Sequence, residues 1–136
     1  MPVQATGYHH IRLTVTDIVR SRAFYDSVFG FDVAYEIPAD ADEATREALG
    51  FLYGGVIYSF GPGLLLGLRP VADDEFSPDR VGLDHLSIMV EDLQGSVAVL
   101  DGLGVAHGGV KDLGAVSIVE FKDPDGVALE LCAANP

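Results

Sequence analysis

Basic residues are scarce in this sequence: Lys and Arg number 8 against 21 Asp and Glu, a formal net charge of -13. A surface that acidic repels phosphate backbones and anionic lipid, which argues against nucleic-acid and membrane-surface roles. Cys132 is the single cysteine, so no internal disulfide forms and no cysteine cluster can hold zinc. The apolar stretches fall far short of the roughly 20 residues that a membrane helix needs. No basic segment leads into a long apolar run, so no secretory leader is expected and the expected location is cytoplasmic. What is present suffices for folding: 136 residues, 49% of them hydrophobic, can bury a core without staples.

The chain repeats itself. His9–Ile18 reads HHIRLTVTDI and Asp84–Leu93 reads DHLSIMVEDL, which sets His10 on His85, Val15 on Val90 and Asp17 on Asp92. A helix-like stretch follows each, running to Gly30 and to Gly104, and each half closes with a turn and an apolar strand. The periodicity therefore predicts an α+β domain of two repeated modules, about residues 7–69 and 81–133, joined by an acidic linker over 70–80. Ile11, Leu13 and Val15 alternate with polar residues, as do Leu86, Ile88 and Val90, giving strands with one apolar face. Asp17 and Asp92 stand at helix N-cap positions, and Gly30 at a left-handed C-terminal position. Further strands are expected over Phe31–Ile37, Leu52–Phe60, Leu64–Leu68, Ala106–Val110, Ala115–Phe121 and Val127–Cys132. The acidic stretch Ala39–Gly50 reads as a short helix or a lid.

Alternation puts His10 and His85 on the polar faces of equivalent strands, where pseudo-twofold pairing of the halves would bring them together. On the last strand Val127, Leu129 and Leu131 form the apolar face, and Glu130 points the other way with Cys132. A lone carboxylate amid apolar neighbours is costly to bury unless a cation compensates it. Two imidazoles and one carboxylate with vacant positions suit one catalytic divalent ion: Fe, Mn, Zn or Ni. The matching strand of the first half has Gly67 where the second has Glu130, so a fourth ligand is missing. Arg12 shares the side of His10 and is a candidate to clamp a substrate carboxylate or carbonyl, with Ser87 and Tyr58 as further substrate-contact candidates. Cys132 reads as packing, His9 as structural, and His107 carries no assigned role. Asp123-Pro124-Asp125-Gly126 is a turn lacking the ligand ladder of a calcium loop.

The run His10-Ile11-Arg12-Leu13-Thr14-Val15 with Asp17, Ser21, Phe24 and Tyr25 resembles the opening of the vicinal oxygen chelate superfamily. So do His85 with Asp92, and Asp123-Pro124-Asp125-Gly126 through Glu130-Leu131. The resemblance spans nearly the whole chain. It implies two βαβββ modules forming an open half-barrel around one divalent metal ion, commonly in a homodimer, with a small-molecule substrate and no nucleic-acid or membrane partner. The family's four metal positions fall on His10, Gly67, His85 and Glu130, and Gly67 departs. Glyoxalase I and methylmalonyl-CoA epimerase carry a side-chain ligand there. Extradiol dioxygenases and fosfomycin-resistance transferases use a His, His, Glu set, but the dioxygenases place a catalytic Tyr where Glu120 stands, and the transferases a Thr where Arg12 stands. The implied function is a metal-dependent enzyme, a glyoxalase-like lyase or isomerase or a dioxygenase, on a small oxygen-bearing substrate. The alternative is a non-catalytic drug- or metabolite-binding protein like those of bleomycin resistance, which share the fold without the metal.

Overall fold

A computed structural model describes residues 4, 10–59, 61, 64–71, 83 and 85–136. The chain order is β1 (His10–Val15), α1 (Ile18–Val28), β2 (Asp32–Tyr35), α2 (Glu43–Ala48), a 3-10 turn (Gly50–Leu52), β3 (Val56–Ser59), β4 (Leu65–Pro70), β5 (Leu86–Met89), α3 (Leu93–Gly102), β6 (Lys111–Asp112), β7 (Val116–Lys122) and β8 (Ala128–Ala134). The strands make two four-stranded sheets, ordered β1-β4-β3-β2 and β5-β8-β7-β6. The two orders are the same under the duplication, and each module is a βαβββ unit. The fold class is α+β.

The chain divides into two compact units: Met1–Arg22 with Gly30–Phe76, and Ala23–Phe29 with Ser77–Pro136. Most of the expected linker, and His9, lie outside the described residues. In the first unit, Leu13, Val15, Tyr58, Leu66 and Leu68 are buried on one face of the sheet. The Tyr58 ring packs tilted against Phe31, 5.9 Å between centroids. In the second unit Leu86, Ile88, Val119, Phe121, Leu129 and Leu131 form the buried face, with Leu93 and Leu100 of α3 also buried. Phe24 and Phe29 lie 6.4 and 6.3 Å from Phe121. Tyr25 is fully buried and donates its hydroxyl to Asp123 at 3.1 Å. Asp123 also accepts from the backbone N–H groups of Asp125 and Val127, closing the β7–β8 turn. Burial pushes the Asp123 carboxyl above its ordinary range, against those hydrogen bonds.

The caps form as the sequence predicts. Asp17 accepts from Arg20 N–H at 3.1 Å and Asp92 from Gly95 N–H at 2.9 Å, and Gly30 has φ 61. Several strands differ from expectation, β8 among them by running two residues beyond Cys132. No regular strand covers Ala106–Val110: His107 makes an isolated bridge to Phe121, and the strand of that region is the two-residue β6. Gly108 and Gly109 weaken an extended segment there. Asp32–Tyr35 is shorter than expected, with a register shift between Val33 and Tyr35. The strand expected from Leu52 starts at Val56, because Tyr53 and Gly54 both take positive φ, 52 and 79. Its partner β4 runs two residues beyond Leu68, where Arg69 pairs with Thr14 and Pro70 with Val15. The acidic stretch holds α2, capped by Asp42, which accepts from Thr45 N–H at 2.8 Å.

Candidate functional site

In the second unit β5 and β8 run parallel with Ser87 opposite Glu130, and β7 runs antiparallel to β8 with Glu120 opposite Glu130. Paired residues share a face, so Ser87, Glu120 and Glu130 stand on the side of this sheet away from Leu129 and Leu131. An open cleft of about 530 Å3 is lined by Glu120 and Glu130, with His85 and Lys122 among its other walls. Ser87 Oγ donates to Glu130 Oε1 at 2.9 Å and so fixes one carboxylate oxygen. Lys111 Nζ lies 3.2 Å from Glu120 Oε1, which tempers the repulsion of two carboxylates directly opposed across strands.

Glu120 thus joins the site, although in the sequence it stands out only as the residue at the dioxygenases' tyrosine position. Its signal was available: Val116, Ile118, Glu120 and Lys122 alternate with Ser117, Val119 and Phe121, in phase with Glu130. Ser87 acts on the carboxylate beside it rather than standing apart. Cys132 is half-buried on this same face, opposite Met89 and Ile118.

In the first unit the burial of β1 alternates, with His10, Arg12 and Thr14 exposed and Leu13 and Val15 buried. Arg12 is opposite Gly67 on β4. The guanidinium arm lies across that glycine: a Cβ added to Gly67 would stand 3.2 Å from Arg12 Nε and 3.4 Å from its Cγ. Arg12 Cζ lies 5.9 Å from the centroid of the Tyr53 ring and Arg69 Cζ 4.6 Å. The structure places Tyr58 elsewhere. It pairs with Leu66 rather than Gly67, is fully buried, and hydrogen-bonds Arg22, so it stands on the core side of the sheet and not beside His10 and Arg12.

His10 therefore belongs to the first unit, and His85 and Glu130 to the second, where they share one cleft. Among the described residues no group of three or more His, Cys, Asp and Glu side chains is gathered as metal ligands. The donor chemistry of the cleft nonetheless fits a divalent ion in part: an imidazole and a carboxylate steadied by a hydroxyl are a common pairing of ligand and supporting group. His107 lies apart from these ligands. Its ring nitrogens meet the Gly108 carbonyl and Asp101 Oδ1, each at 2.6 Å. The Gly108 hydrogen bond foremost, and then Asp101, hold this imidazole above its ordinary pKa.

The sequence profile of the Glyoxalase/Bleomycin resistance protein/Dioxygenase superfamily matches residues 7–131. The chain belongs to that superfamily. It is 30% identical over 128 residues to the uncharacterised protein YaeR of Escherichia coli K12, covering 90% of this chain and 92% of YaeR. A glyoxylase/bleomycin resistance protein/dioxygenase domain from Frankia sp. EAN1pec superposes with TM-score 0.74 at 25% identity, covering 97% of this chain and all of that one. TnmS3, an antibiotic binding protein of Streptomyces sp. CB03234, shares the fold with TM-score 0.74 at 20% identity, over 98% of this chain and 100% of its own.

Proposed function

We propose that the protein is a divalent-metal-dependent enzyme of this superfamily acting on a small oxygen-bearing substrate, by lyase or isomerase chemistry or as a dioxygenase. The observation that supports it best is the second unit's cleft, where His85 and Glu130 stand together with Ser87 holding the carboxylate. His10, the repeat equivalent of His85, is proposed as a metal ligand alongside the two. Gly67 adds no ligand, which leaves positions open to substrate oxygens. A bound ion supplies Lewis acidity or, as iron, a route to dioxygen activation. The chain's own residues do the rest. Ser87 keeps Glu130 oriented and Arg12 offers in-plane donors to a substrate oxygen. Glu120 sits opposite Glu130 as the candidate for moving a proton. We also propose that the protein works as a homodimer.

Elemental analysis of protein purified without chelator or affinity-tag metal tests this reading. About one Fe, Mn, Zn or Ni per chain is expected, falling at least tenfold in His85→Ala and in Glu130→Gln. A metal-free wild-type protein whose ligand affinity is unchanged by His85→Ala would put a non-catalytic drug- or metabolite-binding protein in its place.

A further inference from the structure

The duplication makes Arg12 the equivalent of Ser87, and Gly67 the equivalent of Glu130, on matching pairs of parallel strands. One pair carries a hydroxyl and a carboxylate, the other a guanidinium and no side chain. The exchange is complementary in size: without a Cβ at Gly67 the arm of Arg12 lies flat along β4. It also reverses charge, so the first unit presents a cation where the second presents an anion.

A second cation reinforces it. Arg69 stands diagonally from Arg12 across the β1–β4 pair, on the same face, and both guanidinium groups approach the Tyr53 ring. Tyr53 is the non-glycine residue with positive φ among those described, held by its N–H on the Gly50 carbonyl at 3.1 Å. The segment is pinned next door: a Cβ on Gly55 would overlap the Leu68 carbonyl oxygen. An uncommon backbone conformation held this firmly puts one ring beside two arginines. Stacking uses the face of a guanidinium and leaves its in-plane N–H donors available. Among the described residues the ion pairs engage Arg22, Lys111 and, when protonated, His107, not Arg12 or Arg69. Tyr35 is opposite Ile57, which is opposite Gly67, so it stands on the same sheet face; its ring meets Phe51 edge-on at 6.3 Å, both about half exposed.

We infer that Arg12, Arg69 and Tyr53 form a carboxylate receptor, so that the substrate is an organic acid whose apolar or aromatic body lies toward Tyr35 and Phe51. Planar carboxylate and guanidinium pair through two parallel hydrogen bonds, which explains arginine rather than lysine at these places. In a chain of net charge -13, two cations on one ring are what draws an anion to this face. The assignment rests on the proposed function only in making the bound acid a substrate; the receptor itself stands on the first unit.

The full-length protein as purified, with its metal content measured in each sample, is titrated with benzoate and with the neutral control benzamide. Calorimetry gives affinity, and the arginine Nε–Hε resonances report which guanidinium groups respond. Benzoate should bind at least about tenfold tighter than benzamide, and Arg12→Ala and Arg69→Ala should each weaken benzoate by at least about tenfold, with metal content unchanged. Both side chains are exposed, so thermal melts of the variants should match wild type. Gly67→Ala, which crowds the Arg12 arm, should also weaken benzoate. Benzamide binding as well as benzoate, no benzoate binding, or wild-type affinity in either arginine variant overturns the receptor. Metal-free wild-type protein overturns the proposed enzyme instead, and leaves the arginine comparison intact.

Discussion

Tyr25 and Asp123 show what a single hydrogen bond does when both partners are buried. The Tyr25 hydroxyl is the side-chain donor to a carboxylate that burial already disfavours as an anion. Tyr25→Phe should lower stability by about 1–3 kcal/mol, because the acceptor is left short of a donor rather than returned to water. Urea denaturation checks it through a lower midpoint at unchanged slope. His107 gives a pH signature. With acceptors at both ring nitrogens, only the imidazolium donates to both. Its folded pKa is raised from 6.5, so its stabilising contribution is full below that value and fades as pH rises through the raised folded value. The melting temperature of wild type minus that of His107→Ala should therefore be larger at acidic pH and shrink on alkalinisation. A difference that grows with pH would contradict this.

Among the elements, α3 shows a local preference yielding to a cap. Gly95 weakens a helix by propensity, yet a Cβ there would overlap the Asp92 carboxylate that caps the helix. Gly95→Ala should thus fail to give the stabilisation of up to about 1 kcal/mol that an exposed helical glycine normally offers. Asp92→Ala should cost about 1 kcal/mol through the lost cap. Chemical denaturation of the two variants distinguishes the cases. The strand expected over Ala106–Val110 failed for a related reason. Its glycines carry no side chains to pack, so the backbone keeps only an isolated bridge from His107 to Phe121, while the His107 side chain is tied to Asp101.

At the scale of the whole molecule, each sheet ends in two edge strands, β1 and β2 in one and β5 and β6 in the other. Exposed edges invite pairing or cover, and a twofold dimer is the proposed solution. Light scattering after size exclusion should give twice the chain mass, and a monomer at all concentrations would count against it. Ser87→Ala should lower affinity for the proposed metal about tenfold or more while leaving the fold intact, since supporting hydrogen bonds to a ligand typically matter that much. Metal titration of the refolded and native variant reads it.

Much of this protein follows from local rules written along the chain. Alternation over Ile11–Val15 and Leu86–Val90, the caps at Asp17 and Asp92 and the repeat of His10 in His85 all depend on neighbours in sequence, so they were legible before any fold was known. The burial of Tyr58 was not, because Val56, Ile57 and Tyr58 are all buried, so no apolar-polar alternation marks its face, and only the pairing with Leu66 on β4 assigns it. Nor was the meeting of Arg12, Gly67, Arg69 and Tyr53. It depends on β1 pairing with β4 in parallel, across more than fifty residues of intervening chain, and no local propensity encodes which distant strand lies alongside.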